Sequence, residues 1–215
     1  MAGASARVSA VTVDDLLQEL MRNPPRDLSP VRQRQREKAM AMLQDEALLD
    51  TAHRFDIVPL AGEIEGNCLR VGSEILPMPE QLPKKGVVTA IACGAYTLGS
   101  RLEARVRELF SEKRAALALA LDALGNELLI ALGRRMRRDL LASVRGQGLI
   151  LGQRLRVGES EFDLPAQAAV LRLAGAGEIG IDLHRVNLLK PQKSNIAVFA
   201  VGRKLPKLSL ARYRD

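Results

Sequence analysis

The chain has 215 residues, is 47% hydrophobic and carries a formal net charge of +7, which suits one large domain or one domain with an N-terminal appendage. Aromatic residues make up only 3%, with no tryptophan, which argues against base-stacking surfaces for nucleic acid. The 32 basic residues are interleaved with 25 acids, so the excess reads as a solvated surface or a face for an acidic partner before it reads as a nucleic-acid site.

Thr12 ahead of Asp14 and Asp15 predicts a capped helix through Met21, stopped by Pro24-Pro25. Ser29-Pro30 opens a second helix to about Asp50. Its apolar residues gather in the second half, and its first half, VRQRQREK, is a polar surface or a partner-facing arm. Residues 1–54 thus read as an N-terminal helical segment and 55–215 as an α+β domain, either as two units or as one continuous domain. From Phe55 to Leu76, glycines at 62, 66 and 72 divide short apolar runs, which predicts a meander of two or three antiparallel strands. Pro77, Pro79 and Pro83 make a stiff extended connector. The continuous run Val87–Cys93 reads as a buried central strand.

Two helical patterns follow, one over Leu98, Leu102, Val106, Leu109 and Phe110, the next over Leu117, Leu121, Leu124, Leu128 and Leu132. The second continues as a basic helix through Arg134, Arg135, Arg137 and Arg138 to Arg145. Strands are predicted at Leu149–Val157, Ile179–Leu189 and Ile196–Val201, with a helix at Pro165–Ala174. The fold class is α+β, an antiparallel sheet with long helices in separate runs. No apolar run reaches the ~18 residues of a membrane span, so a soluble cytoplasmic protein is expected.

Cys68, Cys93, His53 and His184 are too scattered for a zinc or iron–sulfur site, and a buried-hydrophobe role is the default for the cysteines. No GxGxxG or GxxxxGK[ST] stretch occurs. Four places remain for binding chemistry. Thr97 and Gly99 fall where a strand leads into a helix, whose free N–H groups could hold an anionic group or simply be capped. Asp122 and Glu127 stand within an apolar helix and either pair, face a cleft or form a solvent stripe. Arg154, four residues before Gly158, can place a guanidinium beside close-approaching backbone, which suits a carboxylate. Lys193-Ser194 closes a turn after Pro191, either as a solvated hairpin tip or as the edge of a cleft.

Taken in order, these pieces resemble the reactivation domain of cobalamin-dependent methionine synthase and its free-standing relatives. The T-L-G step is matched by Thr97-Leu98-Gly99, with the acidic Glu103 one turn later. The L-D-A-x-G core is matched by Leu121–Gly125, with Glu127 shortly after. Arg154 and Gly158 stand in an R-x-x-P-G-Y-like turn, with Glu159 in place of the tyrosine, and Pro191–Ser194 matches P-x-K-S. The resemblance spans roughly 55–202.

It implies a bent antiparallel sheet with helices packed on it. It also implies a cleft that binds S-adenosylmethionine through Thr97, Gly99, Glu103, Asp122, Glu127, Arg154, Gly158, Glu159, Lys193 and Ser194. The implied role is accessory to a methyltransferase: reductive reactivation of a cobalamin or other corrinoid supplied by a partner, with an electron from an external donor such as a flavoprotein. Glu159 departs from the pattern, since its charge would either oppose the ligand carboxylate or pair with the ligand's sulfonium or amino group. That departure keeps a second expectation open, a docking relative that has lost S-adenosylmethionine binding, and the basic helix keeps a third, an RNA-binding protein.

Overall fold

A computed structural model describes residues 9–22, 28–61, 68–77, 82, 86–155, 164–184 and 188–205. The connector through Pro79 and Pro83 lies outside the described residues, as do Gly62, Gly66, Gly158 and Glu159.

A two-residue strand β1 (Ser9–Ala10) leads into helix α1 (Val13–Arg22). The Thr12 hydroxyl accepts the Asp15 N–H at 3.2 Å, the N-cap that the sequence called for. Helix α2 (Pro30–Asp45) is capped in the same way by Ser29, which accepts from Arg32 at 3.4 Å. It stops five residues before the predicted end, because Ala47 turns the chain through a positive φ of 47°.

Strand β2 (Ala52–Pro59) follows, and the boundary placed after residue 54 falls inside it. It pairs with β5 (Val87–Thr97) from Ala52↔Thr97 to Pro59↔Ala90. The expected meander is met in part. Strands β3 (Cys68–Val71) and β4 (Glu74–Pro77) form an antiparallel hairpin around Gly72-Ser73, joined to the end of β2 by the Leu60↔Val71 bridge, the Ala61 N–H on the Arg70 carbonyl at 2.9 Å and the Gly72 N–H on the Pro59 carbonyl at 3.4 Å, while β2 itself belongs to the main sheet. The turn residues located the hairpin, but the partner of β2 is set by the core 30 or so residues away in sequence, which no local signal reports.

The main sheet runs β1-β2-β5-β9-β6, with every pairing antiparallel. Its last two members are β9 (Ser194–Arg203) and β6 (Ile150–Leu155). Strands β5 and β9 occupy the centre and are buried on both faces, which explains their unbroken apolar runs. One face, with Phe55, Ala92, Tyr96 and Phe199, meets α1, α2, α3 (Arg101–Ser111) and the 32-residue α4 (Ala115–Gly146). The other, with Ile91, Cys93, Ala95 and Val198, is covered by α5 (Leu164–Ala174), the β3–β4 hairpin and a 3-10 turn at Ala176–Ile179. Leu16 and Leu17 of α1 and Leu43 of α2 enter the same core as the sheet.

The strand expected over Ile179–Leu189 is corrected. Gly180, with φ 72°, ends the preceding 3-10 turn, and among the described residues the segment then pairs with itself as the two-residue antiparallel ribbon β7 (Asp182–Leu183) and β8 (Leu189–Lys190). By length and composition alone, α4 is long and apolar enough to cross a membrane, contrary to the reading of its sequence. In this fold its Leu121, Leu124, Leu128 and Leu132 are fully buried. Each such side chain contributes roughly 2 kcal/mol by leaving water. Gly125 sits where a Cβ would press on Leu102 at 3.0 Å and on Lys193 Cε at 3.3 Å. Its lack of a side chain lets α3 and the 190s turn close on α4.

Candidate functional site

The ends of β5 and β9 lie side by side, Thr97 opposite Ser194, against the start of α3 and the middle of α4. The Ser194 hydroxyl and Thr97 Oγ1 are hydrogen-bonded at 2.8 Å, and Thr97 Oγ1 also accepts the Gly99 N–H at 3.0 Å. The Leu98 N–H donates to the Lys193 carbonyl at 2.9 Å. The Lys193 ammonium reaches across to α4, 2.8 Å from Asp122 Oδ1 and 2.6 Å from Asn126 Oδ1. Glu103 accepts the Gln192 N–H at 2.9 Å. Six of the predicted residues, Thr97, Gly99, Glu103, Asp122, Lys193 and Ser194, are thus joined through one short turn.

Two details differ from expectation. Lys193 and Ser194 are buried, 9% and 8% exposed, so this pair is not part of a solvated tip, although Lys190 and Gln192 of the same turn are exposed. The reason is α4, whose Asp122 and Asn126 supply the polar partners that a buried lysine requires. Thr97 and Gly99 also precede the helix: Thr97 ends β5, Gly99 has φ 80°, and α3 begins at Arg101. The Gly99 N–H is already taken by Thr97, so this N–H is not the free anion donor that the spacing suggested.

Glu127 lies apart from the group. Five residues along a helix rotate a side chain by about 140° from its predecessor, so Glu127 leaves the turn and meets α2. There Arg36 grips it with two N–H groups at 2.6 and 2.7 Å. Arg154 stands near the end of β6, where Nη2 donates to the Ile196 carbonyl at 2.9 Å. Among the described residues the last β6–β9 pair is Leu155↔Val198. Arg154 satisfies the Ile196 carbonyl beyond that pair, and the Asn195 side chain accepts the Ile196 N–H at 2.8 Å. The guanidinium therefore reaches β9 two residues from Ser194.

The arrangement offers polar groups for holding a ligand, and most of them already hold one another. The basic stretch of α4 is partly neutralised in the same way, with Arg138 on Glu19 at 3.2 Å and Arg135 on Asp139 at 3.5 Å. Cys93 is buried and its thiol is pushed up to about 12 by desolvation and then by Asp56, which keeps it protonated and inert. Cys68 is exposed on β3, contrary to the buried default.

One polar pair had no signal in the sequence. His53, with no solvent exposure, places Nε2 3.1 Å from Asp139 Oδ2, and its Nδ1 has no hydrogen-bond partner among the described residues. The two residues are 86 positions apart and meet only because α4 lies across β2. Burial holds the imidazole below its ordinary value; Asp139 acts in the opposite direction and Arg135 adds a smaller lowering effect. A depressed histidine gives full stability above the unfolded value of about 6.5. Below that the unfolded chain binds a proton that the fold resists, so stability falls as pH drops from there towards the lower folded value. His53→Gln is expected to flatten this part of the profile of melting temperature against pH between about 7.5 and 5. Parallel profiles for variant and parent would contradict it.

An antiparallel five-stranded sheet, helices packed along one face and a smaller cover on the other define an α+β fold of the reactivation-domain class. The chain is similar to the crystal structure of the MetH reactivation domain bound to AdoHcy, with a TM-score of 0.68 over 95% of this chain and 81% of that one, at 13% identity. No family model matches the chain, and no curated protein matches it in sequence. The fold that the motifs implied is the fold the chain has.

Proposed function

We propose that the chain binds S-adenosylmethionine and assists reductive reactivation of a corrinoid carried by a partner protein. The likeness along 95% of the chain to the MetH reactivation domain bound to AdoHcy carries this reading. AdoHcy is S-adenosylmethionine without its transferable methyl group, so the two share their carboxylate, amino group and adenosine. S-adenosylmethionine would supply the methyl group, and the corrinoid and the electron would come from partner proteins. This chain would contribute binding and orientation. Arg154, whose guanidinium reaches β9 at Ile196, suits the ligand carboxylate; Asp122, with its side chain 44% exposed, suits the ligand's cationic end.

Calorimetry with S-adenosylmethionine and with AdoHcy tests the reading. Saturable binding is expected, weakened about tenfold or more by Arg154→Ala in a variant that still melts cooperatively. Equal affinity in variant and parent would remove Arg154 from the site.

The mutual pairing of Thr97, Ser194, Lys193 and Asp122 favours a second reading, a docking relative without the ligand. In that case the parent does not bind S-adenosylmethionine and Glu159→Tyr restores binding.

A further inference from the structure

We infer that the groove between α2 and α4 is a docking surface for an acidic amphipathic helix on a partner protein. This inference is independent of the S-adenosylmethionine reading. The groove encloses a cavity of ≈ 440 Å³. Its α4 wall is Ala116, Leu119, Ala120 and Ala123, and its facing wall is Val31, Arg32 and Gln35 of α2 with Leu28 just before the helix. The helical members of each wall recur at helical spacing, so each forms one stripe of its helix. The α4 stripe from Ala116 to Glu127 is roughly 16 Å long at 1.5 Å per residue, the span of three turns of a third helix.

The chemistry of the walls selects the occupant. Val31 is 66% exposed and Leu119 62%, two large apolar side chains on the same groove that no described residue covers. The alanines between let an incoming side chain approach the α4 backbone closely. The first half of α2 sends no side chain into the core; the buried residues of this helix are Ala39 and Leu43. What fixes that half is the two-pronged Arg36–Glu127 pair at the inner end of the groove, which anchors the wall to α4. The same half carries Arg32, Arg34 and Lys38 against Glu37 alone, once Arg36 is neutralised. Among the described residues Arg32 makes no ion pair, and it stands on the groove lip. An apolar floor under a positive lip fits a helix with leucine-like residues on one face and carboxylates beside them.

The test uses the full chain and a fluorescein-labelled, end-capped helical peptide of about four turns, with leucines along one face and glutamates flanking them. Saturable binding is expected by fluorescence anisotropy. It should weaken about tenfold or more in Leu119→Ser, and also when lysines replace the glutamates in the peptide. Arg32→Glu should reverse the preference, favouring the lysine peptide. Both positions are exposed, so the fold is expected to survive, and circular dichroism checks it. Absence of saturable binding overturns the inference, as does equal binding of the two peptides, which would mean apolar adhesion alone. Self-association of the chain that Leu119→Ser abolishes also overturns it, because the occupant would then be a second copy. S-adenosylmethionine calorimetry on Leu119→Ser separates the two proposals, since ligand binding there should equal the parent's.

Discussion

Replacing Gly202 with alanine is expected to destabilise the fold by about 3 kcal/mol, lowering the melting temperature of a chain this size by roughly 6–12 °C. Gly202 lies on β9 between Val88 of β5 and Ile150 of β6, where both neighbours press in. A Cβ there would stand 1.9 Å from the Val87 carbonyl oxygen and 2.9 Å from the Val88 Cα. Those atoms are backbone of a paired strand and cannot swing aside as a side-chain tip can. Relief requires β5 and β9 to separate where β5 begins and β9 ends. Gly146, the last residue of α4, is the matched control, because a Cβ there meets nothing within 4 Å. Gly146→Ala should leave stability within about 0.5 kcal/mol of the parent or raise it. Urea denaturation of both variants decides the matter; an unperturbed Gly202→Ala would refute the close strand approach.

The two partners of the Asp122–Lys193 pair should respond unequally to removal. The lysine side chain is 11% exposed and the aspartate 44%. Asp122→Ala strands a nearly buried ammonium with Asn126 as its remaining side-chain partner, at an expected cost of about 2 kcal/mol. Lys193→Met removes the buried charge, keeps the chain of methylenes over Gly125, and leaves Asp122 in reach of water. Its expected cost is below about 1 kcal/mol. The double variant should resemble Lys193→Met, because no unpaired buried charge remains. If Asp122→Ala proved the milder single change, burial of the lysine would not be what makes this pair matter.

The unequal pair shows how much of the site could be read beforehand. That Asp122 needed a partner followed from a carboxylate among leucines, and that Lys193-Ser194 stood beside a buried strand followed from Ile196–Val201. That one answers the other did not follow, because 71 residues separate them and no periodicity links a turn to a helix. Glu127 was grouped with Asp122 by proximity in sequence, yet helical rotation sends it to Arg36 instead. His53 lacked local company and met Asp139 through the packing of α4 on β2. The two-residue ribbon β7–β8 shows the opposite limit: a segment read as one strand starts after the positive-φ Gly180 and folds back to pair with itself, which its composition did not reveal.

The sequence by itself determined the helices, their caps and the two central strands. These depend on interactions within a few residues: Thr12 and Ser29 on nearby N–H groups, leucines at helical spacing, and unbroken apolar runs that only a doubly covered strand can use. Only the tertiary structure decided that β2 joins β5, that Lys193 is buried against α4, and that the polar half of α2 forms one wall of an open groove. The reason is physical. Strand partners and ion pairs are chosen by which apolar faces close over one another, and that choice is made by the whole core at once.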